Sequence, residues 1–125
     1  MLKDDFYKIR SLSYIPNAAP IGHIKATVEF NKEHTIFNGH FPGSPVVPGV
    51  CLIQVLKELI MESLKKQIIL TVGDNIKFTY IVDPTINLYV DFDIQFTYLE
   101  GGFIHVKSTM TDESTNFLKF TGIFK

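Results

Sequence analysis

At Ile86–Tyr98 the chain reads INLYVDFDIQFTY, with Ile86, Leu88, Val90, Phe92, Ile94, Phe96 and Tyr98 in strict alternation, mostly with Asn, Asp, Gln and Thr between them. A period of two belongs to a strand with one buried and one wet face. Its length predicts a long, curved antiparallel strand. Upstream, Ile69–Val82 reads as another strand, closed by a turn at Asp83-Pro84. Downstream, Gly101-Gly102 predicts a hairpin into Phe103–Met110, and Thr111–Ser114 a turn into Asn116–Phe124. Ile24, Ala26, Val28 and Phe30 alternate with Lys25, Thr27 and Glu29, which gives an earlier strand within Ile21–Phe30.

One segment keeps a different period. Over Val50–Lys66, Leu52, Ile53, Val55, Leu56, Leu59, Ile60 and Leu64 form one broad apolar face at helical spacing. Pro48 suits the first turn of that helix, where a missing N–H costs nothing, and Lys65 and Lys66 suit its negative C-terminal end. One amphipathic helix with five or so long antiparallel strands predicts an α+β layered architecture. Residues 1–20 are mixed: Phe6, Tyr7, Ile9, Leu12, Tyr14 and Ile15 offer packing surface, and Pro16 and Pro20 bracket a turn. The expectation is a single domain over residues 1–125, with its core in about 20–124.

With 125 residues, the chain buries about two-thirds of its unfolded surface, enough for a core without metal or disulfide staples. Eleven Phe, five Tyr and 46% hydrophobic residues exclude a disordered chain. Twelve Lys and Arg stand against thirteen Asp and Glu, so the basic excess of a nucleic-acid binder is missing. The lone Cys51 makes no intrachain disulfide. The opening MLKDDFYKIRSL carries charges where a signal peptide needs apolar residues, and no run reaches the ~18–20 that span a bilayer. The expected setting is cytoplasmic, without membrane insertion.

The chemistry is expected between Gly39 and Val50, GHFPGSPVVPGV, where three prolines and three glycines fall in twelve residues. So constrained a backbone, beside a histidine and a helix start, is what a preorganised site needs. His40 is a base of suitable pKa, about 6.5 unperturbed. Gly49 stands where free N–H groups and the positive end of the helix dipole stabilise a developing oxyanion, and without a Cβ it admits a ligand close to the backbone.

The run FNGHFPGSPVVPGVCLIQ, Phe37–Gln54, resembles the signature of the β-hydroxyacyl-acyl-carrier-protein dehydratases of bacterial fatty-acid synthesis, the FabZ/FabA type. The resemblance extends over about residues 20–124, with IKFTYIVDP at 76–84 similar to a family strand. It implies a hot-dog fold, a curved antiparallel sheet around a long helix. It also implies a homodimer with sites at the interface, with tetramers or hexamers (trimers of dimers) as larger assemblies. By motif position, His40 matches the residue that removes the α-proton of a 3-hydroxyacyl thioester. Gly49 and Val50 match the helix start that polarises the thioester carbonyl. The substrate would ride on the phosphopantetheine of acyl carrier protein, with no metal or other cofactor.

Gln54 departs from the pattern. The family has Glu or Asp there, fourteen residues after the histidine and supplied by the other subunit. A carboxylic acid can protonate a leaving hydroxyl, whereas an amide only donates or accepts hydrogen bonds. Three readings stay open: a dehydratase whose histidine is base and then acid, a catalytically silent acyl-binding or auxiliary subunit, and a thioesterase or enoyl isomerase. On the helical wheel Gln54 lies opposite the apolar face, near Val50, Glu58, Met61 and Lys65, which reads as a solvated face or as a lined tunnel or interface.

Other residues carry less. Phe37 and Phe41 flank the motif and would line an acyl channel or pack in the core. Cys51, just inside the helix, reads as a small hydrophobe. His34 and His40, six apart, have no metal-pair spacing, and Glu33 beside them reads as surface. His23 and His105 read as structural or solvated. Lys65, Lys66, Lys77 and Lys107 would meet an acidic carrier protein or simply dress the surface.

Overall fold

The computed structural model describes residues 1–15, 22–39 and 45–125. Six strands form one antiparallel sheet: β1 (Tyr7–Ile15), β2 (Gly22–Phe30), β3 (Leu70–Phe78), β4 (Tyr89–Tyr98), β5 (Ile104–Asp112) and β6 (Thr115–Phe124). Their order is β1-β2-β4-β5-β6-β3, so β1 and β3 are its edges. Two helices lie between β2 and β3: α1 (Ile36–Gly39) and the long α2 (Gly49–Leu64).

The alternation sets which face is buried. Ile24, Ala26 and Val28 of β2 stand opposite Ile94, Phe92 and Val90 of β4, and all six are buried. Phe92 and Phe96 stand opposite Met110 and Val106 of β5. Leu52, Val55, Leu56, Leu59 and Ile60 of α2 join them in one continuous core. This is the α+β hot-dog architecture. Gly22 faces Phe96, and an added Cβ would lie 2.2 Å from the ring's Cζ, so the strand starts at a residue without a side chain.

The structure departs from the sequence expectations at several ends. Between β2 and α2 the chain forms the short α1, which no sequence pattern marks and whose first residue donates its N–H to His34 Nδ1 at 3.1 Å. The strand expected from Ile86 begins at Tyr89. Asp83 takes the intervening residues into a turn, its Oδ1 accepting the Thr85 N–H at 2.9 Å and its carbonyl the Asn87 N–H at 2.6 Å. Helix α2 stops at Leu64 because Lys65 is left-handed (φ 56°) and returns its N–H to the Met61 carbonyl; Lys65 and Lys66 therefore follow the helix rather than close it. Strand β1 was not expected as a strand. Its residues are mostly exposed, so the run YKIRSLSYI carries no alternation to read. The turn expected at Pro16–Pro20 lies outside the described residues.

Among the described residues, strand β3 pairs only with β6, and all nine of its residues are exposed. Its apolar side chains Val72, Ile76 and Phe78 are uncovered, as are Ile69, Tyr80 and Ile81 beside it. So large an exposed apolar surface marks a binding face.

Candidate active site

The site begins at the first turn of α2. Pro48, extended at φ −60° and ψ 142°, caps the helix without a side-chain bond, and its carbonyl accepts the N–H groups of Cys51 and Leu52 at 2.9 and 3.3 Å. The N–H groups of Gly49 and Val50 precede any intrahelical acceptor. They sit at the positive end of a sixteen-residue helix. Residues Val46, Gly49, Val50, Phe78, Tyr80 and Ile81 line a cavity of about 780 Å³ at this point. Phe78 lies against Gly49, where a Cβ would come within 2.8 Å of its ring. Val50 is 77% exposed. An acyl thioester reaching this cavity would meet apolar walls and backbone donors.

Gln54 follows Val50 by one helical turn and is half-buried. Its Nε2 donates to Glu58 Oε2 at 2.7 Å, and Glu58, one turn further, is only 1% exposed. The N-terminal segment crosses the helix here. Leu2 N–H donates to Glu58 Oε2 at 2.8 Å, while Lys3 N–H and the Tyr7 hydroxyl donate to Oε1 at 2.8 and 3.1 Å. Two oxygens thus accept four donors. Burial first, and then the Glu58 charge, hold the Tyr7 phenol far above its ordinary value of 10.0, so it remains a donor at any physiological pH. The face opposite the apolar stripe is therefore open at Val50 but covered at Glu58 and Met61, not solvated throughout. Sequence reading missed Glu58 and Tyr7. The i, i+4 spacing of Gln54 and Glu58 was legible, but the segment that buries Glu58 comes from more than fifty residues away.

The structure places Gly49 and Val50 on the first turn of α2, at the cavity, and Gln54 one turn further along the same helix, outside the residues that line it. His40 and Phe41 lie outside the described residues. Phe37 is buried, its ring 5.6 Å from that of Phe6, and the cavity's walls do not include it. Cys51 is buried, and burial pushes its thiol up from the ordinary value, away from nucleophilic use. His34 holds Asp5 at 3.1 Å and the start of α1, and His23 meets Asp93 at 2.6 Å; both are built into the scaffold.

The candidate site is thus a helix tip under an apolar cavity, set on a hot-dog sheet. The family model of the ApeI-like proteins, described as ApeI dehydratase, matches residues 18–113, and the chain belongs to that family. A 3-hydroxyacyl-[acyl-carrier-protein] dehydratase FabZ of Rickettsia bellii is 25% identical over 134 aligned positions, covering 91% of this chain and 81% of the relative. Among solved structures, the dehydratase heterocomplex ApeI:P of Xenorhabdus doucetiae matches with a TM-score of 0.62 at 13% identity, over 94% of this chain and 96% of that one. A Lactococcus lactis protein described as a candidate thioesterase, yhdA, matches at 0.66 and 9% identity, over 93% and 89%. These two structural likenesses speak for the fold alone.

Proposed function

We propose that this protein eliminates water from a 3-hydroxyacyl group on acyl carrier protein to give the trans-2-enoyl thioester, working in the cytoplasm as a homodimer. The observation that carries the reading is the Gly49-led helix tip open to an apolar cavity in a chain of the ApeI-like dehydratase family. The names of relatives such as the Rickettsia bellii dehydratase support the substrate class.

In this mechanism the thioester carbonyl accepts hydrogen bonds from the helix-tip N–H groups, which makes the neighbouring Cα–H acidic. The His40 imidazole takes that proton, and the electron pair of the C–H bond becomes the Cα=Cβ bond. The Cβ–O bond breaks with its pair on oxygen. The same imidazolium returns the proton to that oxygen, and water leaves. Gln54 holds the hydroxyl. One helix-tip donor contributes roughly 3–4 kcal/mol to such a step, and a positioned base about 100- to 10,000-fold in rate. Strand β3 supplies the dimer contact, since an unpaired edge with uncovered Val72, Ile76 and Phe78 fits a second copy of itself.

Hydration of a crotonyl or longer enoyl thioester, followed by loss of enoyl absorbance, tests the reading. Turnover in the wild type that disappears in His40→Ala supports it; inert wild type overturns it. The second reading, an auxiliary subunit completed by another hot-dog chain, is favoured by the amide at Gln54 and by the heterocomplex to which the fold is similar. It predicts that the chain alone is inert. Release of free thiol, detected with a thiol reagent, would instead point to a thioesterase.

A further inference from the structure

Glu58 is a buried carboxylate, and among the described residues its hydrogen-bond partners are two backbone N–H groups, a phenol and an amide, with no Lys or Arg side chain. A charge so placed costs several kcal/mol unless every lone pair is used, and here four donors use them. Its saturation also excludes it from direct chemistry, because neither oxygen is free for a ligand. What it does hold is Gln54. An acceptor-only group forces the amide to turn its NH2 inward, and the planar amide then directs the carbonyl Oε1 away from Glu58.

We infer that Glu58 is a positioning residue that locks the Gln54 amide so that Oε1 accepts the hydrogen of the substrate's 3-hydroxyl. The donation from Nε2 to a carboxylate enriches Oε1 in electron density, so it is a better acceptor than a free amide. With its hydrogen bound to Oε1, the hydroxyl turns its lone pairs outward, free to accept a proton as the Cβ–O bond breaks. The chain thereby fixes the leaving group without a second acid. This rests on the dehydratase reading for the identity of the ligand, but the orientation of the amide is a property of the folded chain alone.

The test uses the full chain and two non-reactive pantetheine thioethers that differ only in a 3-hydroxyl. Wild type should bind the hydroxylated ligand about tenfold more tightly. Gln54→Leu and Glu58→Gln should each abolish that preference, and the double variant should lose nothing further. Tyr7→Phe removes a donor to Glu58 but leaves the bond to Gln54, and should keep the preference while lowering the melting temperature. Should Glu58→Gln fail to fold, Glu58→Asp, which draws the carboxylate back by one methylene, carries the same comparison. In parallel, kcat/KM for dehydration should fall at least tenfold in Glu58→Gln, with KM for the 3-hydroxyacyl substrate rising as the hydroxyl contact is lost.

A Glu58→Gln protein that keeps both the hydroxyl preference and kcat/KM, in an enzyme silenced by His40→Ala, overturns the positioning role and leaves the dehydratase reading standing. An inert wild type that still loses its hydroxyl preference in Glu58→Gln does the reverse. Wild type with neither turnover nor preference overturns both.

Discussion

Tyr7 and the two glycines set the sharpest expectations at the scale of single residues. The Tyr7 phenol is raised by burial and by Glu58, so the folded chain keeps its proton where the unfolded chain loses it. The stability this adds is intact below pH 10 and declines as pH rises above it. Wild type should lose about 1.4 kcal/mol per pH unit more than Tyr7→Phe in denaturant titrations carried upward from pH 10. Near neutrality, Tyr7→Phe should itself cost about 1.5–3 kcal/mol, as a hydrogen bond to a charged group does. Gly49 and Gly22 contrast. A Cβ at Gly49 meets Phe78, whose ring is half exposed and can swing away. Gly49→Ala should therefore leave the melting temperature within a few degrees while turnover falls, because the methyl obstructs the approach to the helix tip. A Cβ at Gly22 meets Phe96 inside the core. Gly22→Ala should cost about 1–3 kcal/mol in denaturant unfolding, as overpacking does.

At the scale of elements, what the sequence makes legible is what a period can encode. Strand β4 and helix α2 announce themselves because each has one apolar and one polar side, and β2, β5 and β6 follow the same rule. Strand β1 is different: its outward residues and its sheet neighbours are both partly wet, so its pairing with β2 is a tertiary outcome with no local signature. The end of α2 at Lys65 is likewise invisible, since a lysine in the left-handed region is uncommon without a glycine to mark it. At the candidate site, the start of α2 near Gly49 and Val50 was legible from Pro48 and the apolar period that follows. The covering of Glu58 was not, because the first residues of the chain reach it only after folding. Exchange of the pair, Gln54→Glu with Glu58→Gln, should preserve the contact with its donor and acceptor reversed. Its melting temperature should lie above that of Gln54→Glu alone, where two carboxylates meet at hydrogen-bond distance and must share a proton.

For the whole molecule, strand β3 matters most. The sheet ends in a strand with both faces uncovered, beside the cavity at the helix tip. If two copies join along it, a charge there should separate them without unfolding either. Val72 is exposed in the single chain, so Val72→Lys should leave the far-ultraviolet spectrum unchanged. Sedimentation should shift from dimer to monomer, and specific activity should fall with it. A monomeric wild type would overturn the dimer, and a Val72→Lys dimer with full activity would place the contact elsewhere.

The anchoring of Leu2 and Lys3 on the middle of the long helix has a practical consequence for handling the molecule. Those residues resemble a dispensable tail when the chain is drawn as a line, yet they cap the carboxylate that holds the Gln54 amide. Trimming them by protease or by gene design would strip two donors from that carboxylate. The damage would surface in ligand discrimination, far from the cut.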